Sequence, residues 1–435
     1  MRREILMPPV TPSMVDGKIA RWHVSEGQAV AAGDVLAEIS TATATLEIEA
    51  EDAGHVERIL VPAGTEGVKV NTPIAIVLAG MQRRAMQPLG FASLDALTPE
   101  PAHSTRPVFA ATGQQTYREA LRDAIASEMR ADPDVFLIGV DVAQNRGAIK
   151  VAQGLLDAFG PQRVVAVPAL DEALFGLAVG AAMAGLKPIV EVSHWGRAIE
   201  VMMPYLAEAS EAFYLSGGAV RVPIVFRGPN GYVPGATGQD ARCVAGHLAQ
   251  MPGLTVAQPA TAHSAARSLG AAVRHPGPVC LLEHEQLYGT RDYLSAEEGC
   301  EAASARRARI VRQGADVTIA VAGAALLAAL DAAEKLDAAG IAAEVVDLVY
   351  LRPLDTETVS ASVARTGRLV TVEEGWGIGP LLSAAVMERC FTALKAAPRR
   401  VSGAEVPMPY AAELQTLAVP HADAIVTAAT ESVRG

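Results

Sequence analysis

Two adjacent carboxylates, Asp171 and Glu172, follow Pro168-Ala169-Leu170 where a strand pattern gives way to a helical one. A helical turn holds about 3.6 residues, so the two side chains would point about 100° apart. Two roles suit them. One carboxylate can exchange a proton with a bound group, or both can stabilise a helix N-terminus through its dipole. Downstream, Glu191-Val192-Ser193-His194-Trp195-Gly196-Arg197-Ala198-Ile199-Glu200 gathers an imidazole, an indole, a guanidinium and two carboxylates. An arginine in such company can hold a carboxylate or a phosphate. Gly238-Gln239-Asp240-Ala241 adds a further acid. The four cysteines, Cys243, Cys280, Cys300 and Cys390, are widely scattered with no CxxC pair. That argues against a zinc site or a dithiol centre and for buried, reduced thiols. Neither GxxxxGK[ST] nor a GxGxxG between a strand and a helix occurs. Any phosphorylated cofactor would therefore need its phosphates held by another subunit.

The elements that must position these groups fall into blocks. Residues 1–80 hold short alternating segments, Ile19–Val24, Val35–Ile39, Leu46–Ala50, Gly54–Val61 and Ile74–Leu78, broken by Asp16-Gly17, Glu26-Gly27, Gly33-Asp34 and Ala53-Gly54. Two similar halves of short strands predict a flattened β-barrel or sandwich. Residues 81–115 lose both periods and carry Pro88, Pro99, Pro101 and Pro107, the pattern of a semi-extended linker. From 116 the chain alternates. The spacing predicts a helix over Tyr117–Ala131, buried strands at Val135–Val140, Val164–Val167, Pro188–Val192, Val222–Phe226 and Val279–Glu283, and a helix through Leu174–Ala184. A mostly parallel sheet with helices on both faces follows. A second α/β unit is read from near Gly314, with strands at Val317–Ala322, Ala343–Val349 and Leu369–Glu373 and helices at Ala325–Ala339 and Ala384–Leu394. The domains are therefore placed at 1–80, 116–300 and 301–435.

Composition sets bounds. The chain has 435 residues, half of them apolar, and only 4% aromatic, so Ala, Val, Leu and Gly must fill closely packed α/β layers. A net charge of -12 argues against nucleic acid as the main partner. The most apolar run, Leu174–Gly185, is too short to span a bilayer. Met1-Arg2-Arg3-Glu4 leads into a strand pattern and not a secretory apolar core. The expectation is a cytoplasmic protein with no membrane contact.

Several stretches are specific. They are Leu177-Ala178-Val179-Gly180-Ala181-Ala182-Met183-Ala184-Gly185 and Pro223-Ile224-Val225-Phe226-Arg227-Gly228-Pro229-Asn230-Gly231, then Leu351-Arg352-Pro353-Leu354-Asp355, Val372-Glu373-Glu374-Gly375-Trp376 and Val401–Tyr410. In this order and spacing the chain from about Thr116 to the C-terminus resembles the beta subunits of thiamine-diphosphate-dependent 2-oxo acid dehydrogenases, closest to the pyruvate enzymes. Residues 1–80 independently resemble a lipoyl domain, through Leu36–Ala50. The resemblance implies a small all-β lipoyl-type domain, then a transketolase-like pyrimidine-binding α/β domain and a transketolase-like C-terminal α/β domain. It implies thiamine diphosphate shared with an alpha subunit that holds the diphosphate and Mg, an α2β2 assembly, and an acyltransferase core as a further partner. No GDG-type diphosphate motif is present in this chain.

The resemblance also marks departures. A beta-subunit Glu beside the pyrimidine nitrogen activates the cofactor in this family. By spacing Asp171 falls on that position, one methylene short, with Glu172 beside it. The family's active-site His corresponds to Asp240, which cannot act as a neutral imidazole relay. In the pyrimidine-facing segment Arg197 replaces an aromatic and Glu200 a Gln, while Ser193, His194 and Trp195 complete the cofactor and substrate side. Val140 stands where an acid is usual, and Arg274-His275-Pro276-Gly277-Pro278 lacks the Asp and Asn that help to bind potassium. At the lipoyl hairpin the tip reads Ala42-Thr43-Ala44, and a threonine hydroxyl cannot form the lipoyl amide.

Two expectations follow. One is a working beta subunit in which Asp171 or Glu172 activates thiamine and His194, Arg197 and Asp240 reshape the substrate pocket; a variant is a thiamine-dependent acyl-transfer or carboligase enzyme. The other is a non-catalytic scaffold or regulator.

Overall fold

The computed structural model describes residues 2–8, 16–31, 34–40, 45–50, 54–79, 113–143, 151–168, 171–236, 238–294 and 306–435. Thr43, Cys300 and nearly all of the linker lie outside them. The chain divides into two compact units, Met1–Ser93 and Leu94–Gly435.

In the first unit eight strands run as β1 (Arg2–Leu6), β2 (Asp16–Trp22), β3 (Ala29–Val30), β4 (Val35–Ser40), β5 (Thr45–Glu49), β6 (Gly54–Ile59), β7 (Val68–Lys69) and β8 (Pro73–Ala79). They form two four-stranded sheets, ordered β1-β8-β6-β3 and β5-β4-β2-β7. This is the sandwich that the alternating pattern predicts. Its core is small: Val30, Leu36, Val56 and Val77 in one cluster and Met7, Ile19, Ile39 and Ile74 in another.

The second unit opens with β9 (Gly113–Thr116), which pairs antiparallel with the distant β16 (Arg291–Leu294). Helix α1 (Tyr117–Ala131) follows at once, because Thr116 and Glu119 form a reciprocal capping box. Between these ends lie β10 (Val135–Gly139), α2 (Leu155–Phe159), β11 (Val164–Ala166), α3 (Asp171–Met183), β12 (Lys187–Glu191), α4 (Trp195–Leu215), β13 (Val225–Pro229), α5 (Ala245–Ala249), β14 (Thr255–Ala257), α6 (Ala262–Val273) and β15 (Val279–Glu283). Strands β17 (Arg309–Arg312), β18 (Val317–Val321), β19 (Ala343–Asp347), β20 (Tyr350–Arg352), β21 (Leu369–Glu373) and β22 (Arg399–Ser402) complete the sheets. The central sheet has the order β11-β10-β12-β13-β15-β14-β20 and is parallel except for β20. A second sheet runs β17-β19-β18-β21-β22, with only β17 antiparallel.

Several predicted boundaries move, the strand Val222–Phe226 to Val225–Pro229 among them, and two of the shifts have a visible cause. The expected strand Ala343–Val349 stops at Asp347, because Val349 adopts a left-handed backbone (φ 53°) and the Asp347 carboxylate accepts its N–H at 3.2 Å. Tyr350–Arg352 then leaves its own sheet and joins the central one, so the two sheets share one continuous core. The expected helix Ala384–Leu394 begins earlier, at Ile378, because the Glu373 carboxylate accepts the N–H groups of Ile378 and Gly379 at 3.1 and 2.7 Å. The Arg274–Pro278 loop is anchored to α1 by an ion pair from Arg274 to Glu128 at 2.6 Å.

Candidate active site at the carboxyl ends of the central strands

In a parallel sheet, functional groups gather beyond the carboxyl ends of the strands. Glu191 ends β12, Arg227 lies in β13 and Glu283 ends β15, three neighbouring or next-neighbouring positions of one sheet. Arg227 is wholly buried. Its Nε donates to Glu283 at 2.5 Å, its Nη2 to the same carboxylate, and its Nη1 to Glu191 at 2.6 Å. The Tyr288 hydroxyl donates to Glu283 at 2.7 Å. Burial raises the Glu191 pKa against the pull of Arg227, with Glu283 and Asp141 adding to the rise. Gly228 follows Arg227 because a Cβ there would collide with the Val192 carbonyl. The glycine-rich motif thus serves close strand packing.

From this rigid rim α4 departs. His194 is its N-cap: Nδ1 accepts the Gly196 N–H at 3.1 Å. The residue is only 8% exposed, and the Gly231 backbone lies beside its ring N–H. Burial lowers its pKa, opposed by the Gly231 backbone and the Asp240 carboxylate. The ring is therefore neutral at pH 7, with its proton on Nε2. One turn on, Arg197 meets Asp240 in a fork: Nε and Nη2 each donate at 2.9 Å to one oxygen of the carboxylate. This pair is open to solvent, with Arg197 63% and Asp240 44% exposed. Glu200 is also exposed and lies 3.8 Å from Arg242. Ser193 is exposed, whereas Trp195, expected in the substrate pocket, is wholly buried in the core. Glu172 stands exposed in the first turn of α3; Asp171 begins that helix, and its side chain lies outside the described set. Helix α3 packs against α4, with Phe175 and Tyr205 in ring contact at 6.2 Å.

The structure joins Arg197 to Asp240, with His194 one turn back at the start of the same helix. It gives Asp240 a cation partner. The sequence reading missed Glu374. Its carboxylate accepts the Tyr232 N–H and pairs with His284 at 3.1 Å, which ties the two α/β halves together. Because His284 Nδ1 accepts the Gln286 N–H, its proton sits on Nε2 and faces Glu374. The signal was present in Val372–Trp376, singled out as a motif without a role. Glu374 also lines a cavity of about 350 Å³ with Arg242, Cys243, Trp376, Pro407 and Met408, so the Val401–Tyr410 motif forms one of its walls. Cys243 is no nucleophile there, since burial and then Glu374 push its thiol up to about 12. Among the described residues no group of three or more His, Cys, Asp or Glu could hold a metal ion, and no helix is long and apolar enough to cross a membrane.

Comparison with known proteins decides the family. The transketolase pyrimidine binding domain model matches residues 113–291, the transketolase C-terminal domain model 306–425, and the model described as biotin-requiring enzyme 3–77. The pyruvate dehydrogenase E1 component subunit beta of Rhizobium meliloti (strain 1021) is 42% identical across 98% of both chains. The chain belongs to the pyruvate dehydrogenase E1 beta-subunit family. The Rickettsia bellii beta subunit is 44% identical over 71% of this chain and 95% of its own length. A mitochondrial beta-2 subunit of rice is 43% identical over 81% and 93%. Among solved structures, a split-gene transketolase described as an inactive beta4 tetramer covers 74% of this chain and 99% of its own, at 24% identity and a TM-score of 0.56. That likeness shows the shared fold alone. Family membership bears out the expected architecture of a lipoyl-type domain followed by two transketolase-like domains.

Proposed function

We infer that the chain is the beta subunit of a thiamine-diphosphate-dependent 2-oxo acid dehydrogenase that works with an alpha subunit. The observation that carries this is the end-to-end match to a pyruvate dehydrogenase beta subunit, at 42% identity over 98% of both chains, N-terminal unit included. The residues present fit the pyrimidine side of the cofactor in two respects. Glu172 offers an exposed carboxylate in the first turn of α3, suited to hold a ring-nitrogen proton. His194 offers a buried imidazole at the start of α4, beside the Gly231 backbone. A bound cofactor would supply the electron sink for a 2-oxo carbon. In this reading the alpha subunit holds the diphosphate and Mg. The two subunits form an α2β2 assembly that can dock on an acyltransferase core. Residues 1–80, with Thr43 where a lipoyl domain carries its lysine, act as a docking or spacing module and carry no lipoyl group.

The chain co-purified with its alpha subunit should reduce an artificial electron acceptor when given a 2-oxo acid, Mg and thiamine diphosphate. Absence of turnover with every 2-oxo acid tried, together with no thiamine binding by calorimetry, would sink the reading. Asp171→Ala and Glu172→Ala separate the two carboxylates: the activating one loses roughly a hundredfold or more in kcat, the other far less. Intact mass should show no lipoyl adduct. The second reading, a non-catalytic scaffold, draws support from Asp240, which is spent on Arg197 and stands where the family has an imidazole. Thiamine binding without turnover would favour it, whereas carbon–carbon bond formation with an aldehyde acceptor would favour a carboligase.

A further inference from the structure

The loop that follows β13 carries Asp240, and it is held from outside its own half of the unit. Val233-Pro234-Gly235-Ala236 makes a tight turn: the Ala236 N–H donates to the Val233 carbonyl at 3.0 Å, and Gly235 takes a left-handed φ of 79°. Proline second and a positive-φ glycine third suit such a turn. The turn closes its own outer pair and leaves the Gly235 N–H and the Ala236 carbonyl to find partners elsewhere. One side chain takes both. Gln415, on the helix Ala412–Ala418 of the C-terminal half, accepts the Gly235 N–H through Oε1 at 3.3 Å and donates from Nε2 to the Ala236 carbonyl at 2.8 Å. Just ahead of the turn, Glu374 from the same half takes the Tyr232 N–H. Just beyond it, the Gly238 N–H reaches the Met408 carbonyl at 3.4 Å.

Burial of Gln415 makes this pairing more than a surface contact. The residue is 1% exposed, whereas Leu414 and Leu417 of the same helix stand open to solvent. An amphipathic helix ordinarily turns its leucines inward and its glutamine out. A buried amide without partners costs on the order of 1–3 kcal/mol, so the glutamine is explained by what it holds. Beyond the turn the chain enters the short helical stretch Gly238–Ala241, whose Asp240 meets Arg197 at the start of α4. The base of the loop is closed separately by Asn230, which accepts the Val244 N–H at 2.9 Å. Asp240 is thus set between two supports, Arg197 in its own half and Gln415 in the other.

We propose that Gln415 is a positioning residue: across the junction of the two halves it sets the loop that carries Asp240, and with it the substrate side of the site. This rests on the dehydrogenase reading for what the loop serves but not for the clamp itself.

The test uses the assembled alpha–beta complex. In the unaltered complex, hydrogen exchange should show the Gly235 amide protected about tenfold or more, although the glycine itself is exposed. Gln415→Met keeps the length of the side chain and its apolar stem but removes both bonds. The amides of Gly235–Ala241 should then exchange about tenfold faster or more, with those of β13 and α4 unchanged. Turnover of a 2-oxo acid should lose roughly tenfold or more in kcat/KM, because displacement of a supporting loop is felt at the reacting atoms. The Kd of thiamine diphosphate should not change, since α3 and the start of α4 keep their places. A merely structural glutamine would lower the melting temperature without that split. Gln415→Asn keeps the amide but is one methylene too short to span both groups, so it should loosen the same amides and decides the matter where Gln415→Met folds poorly. An unprotected Gly235 amide in the unaltered complex, loop exchange unmoved by either variant, or faster loop exchange with full kcat/KM overturns the proposal. No turnover in the unaltered complex, with loop exchange still governed by Gln415, removes the dehydrogenase reading and keeps the positioning role.

Discussion

Two arginines near the carboxyl ends of the central strands, Arg227 and Arg197, make bidentate pairs with a carboxylate, and burial separates them. Arg227 is wholly buried at the sheet rim and satisfies Glu283, Glu191 and, through Glu283, Tyr288. Arg197 stands 63% exposed at the start of α4 and meets Asp240 alone. The geometry of the forks is alike, but the energetics are not. A buried pair carries a heavy desolvation cost and becomes indispensable only because either partner, left alone, would be a buried unpaired charge. An exposed pair is screened, contributes little to stability, and is free to respond to a ligand. The buried fork therefore fixes the frame, and the exposed fork is available for chemistry.

The sharpest break is Arg227→Met. It leaves Glu283 and Glu191 buried without their cation, and the expected cost is about 3–5 kcal/mol. Chemical denaturation should show a partly unfolded or insoluble protein. Adding Glu283→Gln should recover part of that loss, because it removes the orphaned charge. If the double variant is no better than the single one, the buried network is not organised as described.

A smaller effect tests burial without a hydrogen-bonded cation. Asp347 is fully buried, its Oδ2 has no hydrogen-bond partner, and burial pushes its pKa up to about 7 from an ordinary 3.8, against the Val349 N–H and the Arg309 charge. The sign follows directly. Between these values the native state keeps a proton that the unfolded chain has released. This contribution is complete below pH 3.8 and is lost as pH rises through 7. Asp347→Asn should therefore stabilise the protein at pH 8, on the order of 1–3 kcal/mol, with a smaller gain at pH 5. Thermal melts at the two pH values check it. An equal shift at both would mean that the carboxyl does not titrate.

These charge clusters also show what was legible beforehand. Strands β10, β15, β18 and β21 and helix α1 were readable because each is a continuous apolar run or a regular amphipathic period bounded by turn residues. Helix α4 was not assigned. Pro204 lies inside it and argues against a helix, yet burial of Trp195, Ile199, Met202 and Leu206 overrides that preference. The antiparallel step of β20 into the central sheet was equally hidden, since it depends on one left-handed valine. At the site, resemblance flagged Arg197 and Asp240 as two separate departures. Only the fold shows them as one compensated pair, because 43 positions separate them in the chain. The role of Glu374 was hidden for the same reason: its partners Tyr232 and His284 come from the other half of the second unit.

The exposed fork should give the smallest stability effect. Arg197→Met and Asp240→Asn should each cost about 0–1 kcal/mol, and raising the salt concentration should shrink even that, as screening does for exposed pairs. In a double-variant cycle the two should couple by no more than about 1 kcal/mol. A coupling several times larger would place Arg197 in the structural class of Arg227. A weak coupling would leave one consistent account: Asp240 orients Arg197, while Arg227 holds the rim on which both depend.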